Sequence, residues 1–165
     1  MPKDKFLAAY EEEHQKTMNV LRAYPSEQAD LRPHPKCKTA KELAWVFVLE
    51  RGLGTHVMND AFASSAPGSS GMPPAPERWE EVLAALEKVH GEFAALLGTY
   101  SDEQFAQTVK FFTGPGQLGD WTREKLAWFL LHDQIHHRGQ FSIYLRMADG
   151  KVPSIYGPSG DEPWF

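Results

Sequence analysis

The chain has 165 residues, of which 42% are hydrophobic and 24% charged, with a net charge of −5 and a pI near 5.8. This length and composition are typical of one globular domain over residues 1–165, and the lack of a Lys/Arg-dense segment argues against nucleic-acid binding. No uninterrupted apolar run predicts a membrane span or a signal peptide, and the single cysteine, Cys37, allows no internal disulfide, so a cytoplasmic protein is expected.

The first half of the chain predicts two long helices. The first covers residues 3–24 and ends at Pro25, where a proline-rich linker begins. Thr39 and Glu42 have the spacing of a capping box and begin a second helix. This helix continues to about Phe62, although two internal glycines weaken it.

The second half predicts two more helices and several irregular segments. A loop rich in Ser, Gly and Pro over residues 63–76 precedes a third helix over residues 77–97. A second capping box opens a short extra segment, which gives way to an extended stretch over residues 108–112. The last helix covers residues 122–147, and a tail rich in helix breakers over residues 150–161 folds back on the bundle. These elements predict an all-α four-helix bundle with one long crossover and an irregular C-terminal tail.

The last helix carries four side chains able to bind a metal or move a proton: His132, Asp133, His136 and His137. Residues four apart share a helix face, so His132 pairs with His136 and Asp133 pairs with His137. Asp133 and His137 also belong to the apolar stripe that should face the core. Because polar groups are costly to bury there, they need hydrogen-bond partners or a metal. Any chemistry is therefore expected at this place.

The sequence His136-His137-Arg138-Gly139-Gln140, followed by Tyr144-Leu145-Arg146, resembles the last helix of the DinB family. Weaker similarity covers residues 24–25, 32–35, 39–44 and 152–159. The resemblance implies a bundle similar to the bacillithiol-transferase-like proteins, usually a homodimer, often with a divalent metal on three histidines. Related proteins include transferases and isomerases that use low-molecular-weight thiols. The family's name refers to induction under DNA-damage stress, which is expression context rather than DNA chemistry.

The chain departs from the metal-binding pattern that this resemblance implies. Matched to the family, the three ligand positions are Val46, Asp133 and His137, so only His137 is a usual ligand. Glu50 lies one turn beyond Val46 on nearly the same helix face. Glu50, Asp133 and His137 would then form a site of two carboxylates and one histidine. Such a donor set suits zinc, nickel, manganese or iron.

Two alternatives to this site stay open. A set of His56, His132 and His136 would restore three histidines, but His56 is rotated by about 240° from Glu50 on an ideal helix. Alternatively, the two carboxylates and His137 form a hydrogen-bonded polar cluster that binds no metal, as the remnant of a lost site.

The neighbours of His137 are assigned supporting roles. Gln140 can hydrogen-bond inside the bundle and orient a site residue. Arg138 can pair with a carboxylate across the bundle or dimer, or hold an acidic substrate through a bidentate contact. His132 and His136 are expected at a boundary or dimer interface rather than as ligands.

Three further predictions concern residues outside this site. His14 and His90 have charged neighbours in the sequence and are expected on the surface. The acidic run over residues 11–13 predicts a solvated helix face. Trp164 and Phe165 would be costly to expose, so they are expected to dock on their own bundle or on a dimer partner.

Two functions follow from this pattern. The first is a metal-dependent transferase or hydrolase that acts on small molecules, with a low-molecular-weight thiol as a further candidate cofactor. The second is a non-catalytic dimeric bundle whose polar cluster fixes packing or binds a small ligand between helices. Direct DNA binding is disfavoured by the acidic charge.

Overall fold

The computed structural model describes residues 1–62 and 73–165, and within them it contains five helices and one antiparallel pair of strands. The helices are α1 (Pro2–Arg22), α2 (Ala40–Met58), α3 (Trp79–Gly98), α4 (Asp102–Ala106) and α5 (Arg123–Met147). The strands are β1 (Thr108–Gly114) and β2 (Gln117–Thr122), and the linker holds a short 3-10 turn, Ser26–Gln28. The predicted four-helix bundle, with a short segment before the last helix and an irregular tail, is confirmed. The predicted loop lies mostly outside the described residues.

Helix starts follow the capping signals in the sequence. The Thr39 hydroxyl accepts a hydrogen bond from the Glu42 amide, and the Glu42 carboxylate accepts one from the Thr39 amide at 2.7 Å. The same reciprocal pair begins α4 at Ser101, and the hydroxyl of Thr122 caps α5. These side chains satisfy amide groups that have no partner within the helix, which determines where each helix begins.

The four long helices pack in the ring order α1–α3–α2–α5, so each contacts two neighbours. The α1–α2 and α3–α5 connections therefore both join helices that are not adjacent. At Gly54 of α2, a Cβ atom would lie 3.0 Å from Phe93 of α3 and 3.1 Å from Leu130 of α5. This glycine permits the close approach of three helices. Among the helices that the structure describes, none combines the length and the apolar character needed to cross a bilayer.

The segment between α4 and α5 is a β-hairpin, of which only the first strand is predicted. Val109 and Phe111 of β1 are buried against the bundle, in line with the extended stretch expected there. The second strand lacks an alternating apolar pattern, and it forms because β1 pairs with it. Gly119 of β2 lies opposite Phe111, and a Cβ atom at Gly119 would come within 2.6 Å of the Thr113 side chain.

The C-terminal tail folds back on the bundle, as predicted, but its last two residues do not dock on it. Ile155 packs against the core, and Asp161 accepts hydrogen bonds from Arg146 and from the Val152 amide. Trp164 is 62% exposed and Phe165 is fully exposed. The indole N–H of Trp164 donates to the Ser154 hydroxyl of the tail at 2.8 Å, but neither ring is buried on its own bundle. Of the two expected docking places, the partner subunit stays a prediction.

The expectation that His14 and His90 lie on the surface is also wrong, because both are buried between α1 and α3. Their rings stack with centroids 3.6 Å apart. The His14 Nδ1 atom accepts a hydrogen bond from Arg51 at 3.3 Å, so its Nε2–H donates to Glu87 at 3.1 Å. His90 donates to Glu11 at 2.7 Å. The hydrogen bonds to Glu87, Arg51 and Glu11 thus offset much of the desolvation cost of burying two neutral imidazoles.

This pair predicts a loss of stability in mild acid. Burial, together with the nearby His90 and Arg51, lowers the pKa of His14 to about 4. The folded chain therefore binds a proton at His14 less readily than the unfolded chain, in which the pKa is about 6.5. The resulting stabilisation is complete above about pH 6.5 and is lost as the pH falls toward 4. Urea unfolding should show about 2 kcal/mol less stability at pH 4.5 than at pH 7 from this residue alone. The variant His14→Gln can keep both hydrogen bonds without titrating, so an equally steep decline in His14→Gln would contradict this assignment.

Candidate metal centre

Two neighbouring helices bring Glu50, Asp133 and His137 together at the seam between α2 and α5. Asp133 and His137 are one turn apart on α5, with Oδ2 and Nε2 separated by 3.8 Å. The Glu50 Oε1 atom reaches across from α2 to within 3.2 Å of the same Nε2 atom. One ligand atom from each residue lies within 4.8 Å of the others. In the part of the chain that the structure describes, no other group of three such residues converges in this way.

The cluster is buried on one side and open on the other. The side chains of Glu50 and His137 are 12% and 20% exposed, whereas that of Asp133 is 41% exposed. The Glu50 Oε2 atom is buried and has no hydrogen-bond partner. A buried carboxylate oxygen without a partner is costly, and a cation at this place would satisfy it. Asp133 therefore forms the solvent-facing side of the cluster.

Gln140 orients the histidine of the cluster. Its Oε1 atom lies 3.0 Å from His137 Nδ1 and accepts the hydrogen of that nitrogen. Neutral His137 would therefore present an unprotonated Nε2 toward Glu50 and Asp133, as a metal ligand must. The Gln140 amide nitrogen in turn donates to His136 Nε2 at 3.0 Å. This contact of His136 was not predicted, although its spacing of four residues from Gln140 was visible in the sequence.

The electrostatics of the metal-free cluster favour a protonated histidine. The hydrogen bond to Glu50, supported by Gln140, raises the pKa of His137 to about 9 even though burial opposes the charge. Burial raises the pKa of Glu50, and the charge of His137 partly counteracts this rise. At neutral pH the cluster is therefore an imidazolium between two carboxyl groups. A metal ion has to displace the proton on His137 Nε2.

The structure places the other candidate residues outside this cluster. His132 and His136 are exposed on the outer side of α5, and His56 lies on the outer face of the continuous helix α2. The alternative set of three histidines is thus not brought together. Arg138 points to α1, where its guanidinium binds the Glu13 carboxylate at 2.6 Å, and it also donates to the Tyr156 hydroxyl of the C-terminal tail. Arg138 therefore makes a structural contact across the bundle and does not support the cluster directly.

The donor set of the cluster fits a divalent cation. Two carboxylates and one imidazole match the ligand types that zinc, manganese and iron accept. If these three residues bound a cation, they would leave coordination positions for water or substrate, which is the arrangement of catalytic rather than structural sites. The chemistry that such a site supports is the activation of a small molecule on its open side.

Comparisons with known proteins agree with this architecture. The model of the DinB family matches residues 1–163. The uncharacterized protein YrdA of Bacillus subtilis is 28% identical over 160 residues, which cover 96% of this chain and 90% of YrdA.

Solved structures share the fold at lower sequence identity. A DinB-like protein from Bacillus cereus superposes with a TM-score of 0.73 at 23% identity, covering 93% of this chain and 97% of that chain. YfiT from Bacillus subtilis superposes with a TM-score of 0.63 at 19% identity, covering 90% and 89% of the two chains. YfiT is described as a probable metal-dependent hydrolase with an unusual four-helix bundle topology.

Proposed function

The chain belongs to the DinB family, and on that premise we propose that it is a divalent-metal-dependent hydrolase or transferase that acts on small molecules. Glu50, Asp133 and His137 are the proposed ligands. The observation that carries the proposal is the convergence of these three donors within 4.8 Å at the partly open seam between α2 and α5. The metal dependence attributed to YfiT, which shares the fold, supports the same conclusion.

Each residue of the proposed site has a distinct task. Glu50 and Asp133 supply negative charge that would balance the cation, and Gln140 holds the His137 ring with Nε2 facing them. A bound cation would supply Lewis acidity, which polarises an electrophile or makes a water or thiol more acidic. For the transferase, a low-molecular-weight thiol is the proposed second substrate. The exposed side of Asp133 is where this substrate would enter.

Metal binding is expected to release about one proton per chain at neutral pH. Because the pKa of metal-free His137 is about 9, the ring must lose its proton before Nε2 can bind a cation. The apparent affinity should therefore rise about tenfold for each pH unit between roughly 7 and 9, and level off above this range. Isothermal titration calorimetry of metal-free protein with Zn²⁺ or Mn²⁺, in buffers of different ionisation enthalpy, measures both the stoichiometry and the proton release.

Two results would contradict the proposal. One is that neither these ions nor Ni²⁺ or Fe²⁺ bind at any pH tested. The other is binding without proton release, which would mean that the ion is held elsewhere on the acidic surface. Chelator treatment followed by reconstitution of the same sample controls for metal that was lost during purification.

A second function is favoured by one specific observation. The Glu50–His137 ion pair, at 3.2 Å, already compensates the buried charge without a cation. The cluster would then fix the packing of α2 against α5 in a non-catalytic bundle. This function expects no metal under any condition, and it expects His137→Gln to lower the stability of the chain without affecting any reaction.

A further inference from the structure

A large cavity lies against the outer face of α2, beside the proposed metal centre. Its volume is about 1250 Å³, and Glu50 forms part of its wall. The cavity also touches the segment before α2, around Cys37. A molecule in this cavity therefore has Glu50 at one end and the start of α2 at the other. Ten residues of helix separate these ends, a distance of about 15 Å.

The wall between these two ends is mostly apolar. Trp45, Leu49 and Leu53 line it from α2, and Ala85 and Val89 line it from α3. The indole nitrogen of Trp45 donates to the carbonyl of Pro73 at 2.8 Å, which holds the ring in place. Such a wall suits the hydrocarbon or aromatic body of a ligand rather than a sugar or a free metal ion.

The end of the cavity near the start of α2 is positively charged. Lys36 and Lys38 line it and are exposed, and in the described part of the chain neither forms an ion pair. The nearest acid on the wall, Glu42, is occupied by the Thr39 amide and by Arg32. Two unpaired lysines at the mouth of one cavity are notable in a chain whose net charge is −5. They provide charge complementarity for an anion.

We infer that this cavity binds an elongated organic anion, with its acidic group at Lys36 and Lys38 and its apolar body against Trp45. The other end of the molecule then lies against Glu50, whereas Asp133 and His137 do not line the cavity. A carboxylate, sulfonate or phosphate on an aliphatic or aromatic body has this chemistry. The inference rests on the proposed function only for the reaction at Glu50, whereas the binding itself needs no metal.

The test compares two fluorescent probes that differ by one charge. 8-Anilinonaphthalene-1-sulfonate has an apolar body and a sulfonate, and N-phenyl-1-naphthylamine is the same molecule without the sulfonate. Both are titrated into the metal-free full chain and into the double variant Lys36→Gln/Lys38→Gln. The variant should weaken sulfonate binding at least fivefold and leave the affinity for the neutral probe unchanged. About 0.5 M salt should reduce wild-type binding of the sulfonate in the same way, because exposed charges are screened.

The double variant Lys5→Gln/Lys151→Gln is the matched control, since it removes the same charge from exposed lysines that do not line the cavity. Equal weakening in this control would overturn the inference, because it would show only an effect of net charge. Equal affinity for the two probes, or no change in Lys36→Gln/Lys38→Gln, would also overturn it. Binding would then be to apolar surface elsewhere.

Together with the metal titration, this experiment distinguishes failure of the metal-centre proposal from failure of the anion-cavity proposal. Stoichiometric metal with proton release, but no lysine-dependent binding of the sulfonate, would leave the metal centre standing and remove the anion cavity. Lysine-dependent binding without any metal would support the cavity and remove the enzymatic proposal.

Discussion

Replacing His137 by alanine should weaken Zn²⁺ binding at least 100-fold at about pH 7, since it removes the only nitrogen ligand of the proposed site. Asp133→Ala should weaken it comparably. Glu50→Gln should weaken Zn²⁺ binding less, about tenfold, because two effects oppose each other. The same change replaces a charged ligand by a neutral one and also removes the carboxylate charge behind the hydrogen bond that raises the pKa of His137, so less free energy is needed to deprotonate the ring. Competition with a fluorescent chelator measures all three affinities.

The matched control for these variants is His132→Ala. His132 is an exposed histidine of the same helix, and it lies outside the cluster. Its removal should leave the affinity unchanged within about twofold. If His132→Ala were as damaging as His137→Ala, the metal would be bound on the outer side of α5, and the assignment of Glu50 and Asp133 would be wrong.

Replacing Glu13 by alanine should destabilise the fold by about 3 kcal/mol, more than any other single change of a carboxylate in this chain. The guanidinium of Arg138 is 2% exposed, and Glu13 is its carboxylate partner at 2.6 Å. Without Glu13, a buried cation keeps, among the described residues, no carboxylate partner. Its contacts are then the carbonyl of residue 13, the hydroxyls of Thr17 and Tyr156, and the Tyr156 ring. Urea unfolding at neutral pH measures the loss.

Two comparison variants make this prediction specific. Glu12→Ala removes the neighbouring carboxylate, which pairs with Lys16 and is 70% exposed, and should cost less than about 0.5 kcal/mol. The double variant Glu13→Ala/Arg138→Met removes both charges, so it should be more stable than Glu13→Ala alone. A double variant that is less stable than Glu13→Ala would show that packing of the Arg138 side chain, rather than its charge, matters here.

The candidate site was predictable because its parts follow helix geometry. Asp133 and His137 are four residues apart in one helix, and Gln140 follows one turn later, so a shared face follows from the sequence. Glu50 needed the resemblance to the DinB family, which placed the second helix beside the last one. That these residues bind a metal stays a prediction, although their proximity is now a feature of the structure.

The wrong expectations share a different cause. His14 and His90 lie in helix segments that look solvated, because their neighbours in sequence are charged. The same holds for Glu13, the one residue of the acidic run over residues 11–13 that is not exposed. In the fold, His14 and His90 face each other across α1 and α3, and Glu13 faces Arg138 of α5. Sequence pattern reports what is next to a residue along the chain, whereas burial depends on what another helix presents to it.

The sequence by itself determined the helices of this protein, but not the second strand of its hairpin. Its capping boxes, prolines and apolar periodicity specify where the helices begin and end, since these signals act over a few residues. Only the tertiary structure decided how the charged side chains are paired. Arg138 with Glu13, and Arg51 with His14, are contacts between residues far apart in the chain. Their partners follow from the ring order of the helices, which no local pattern encodes.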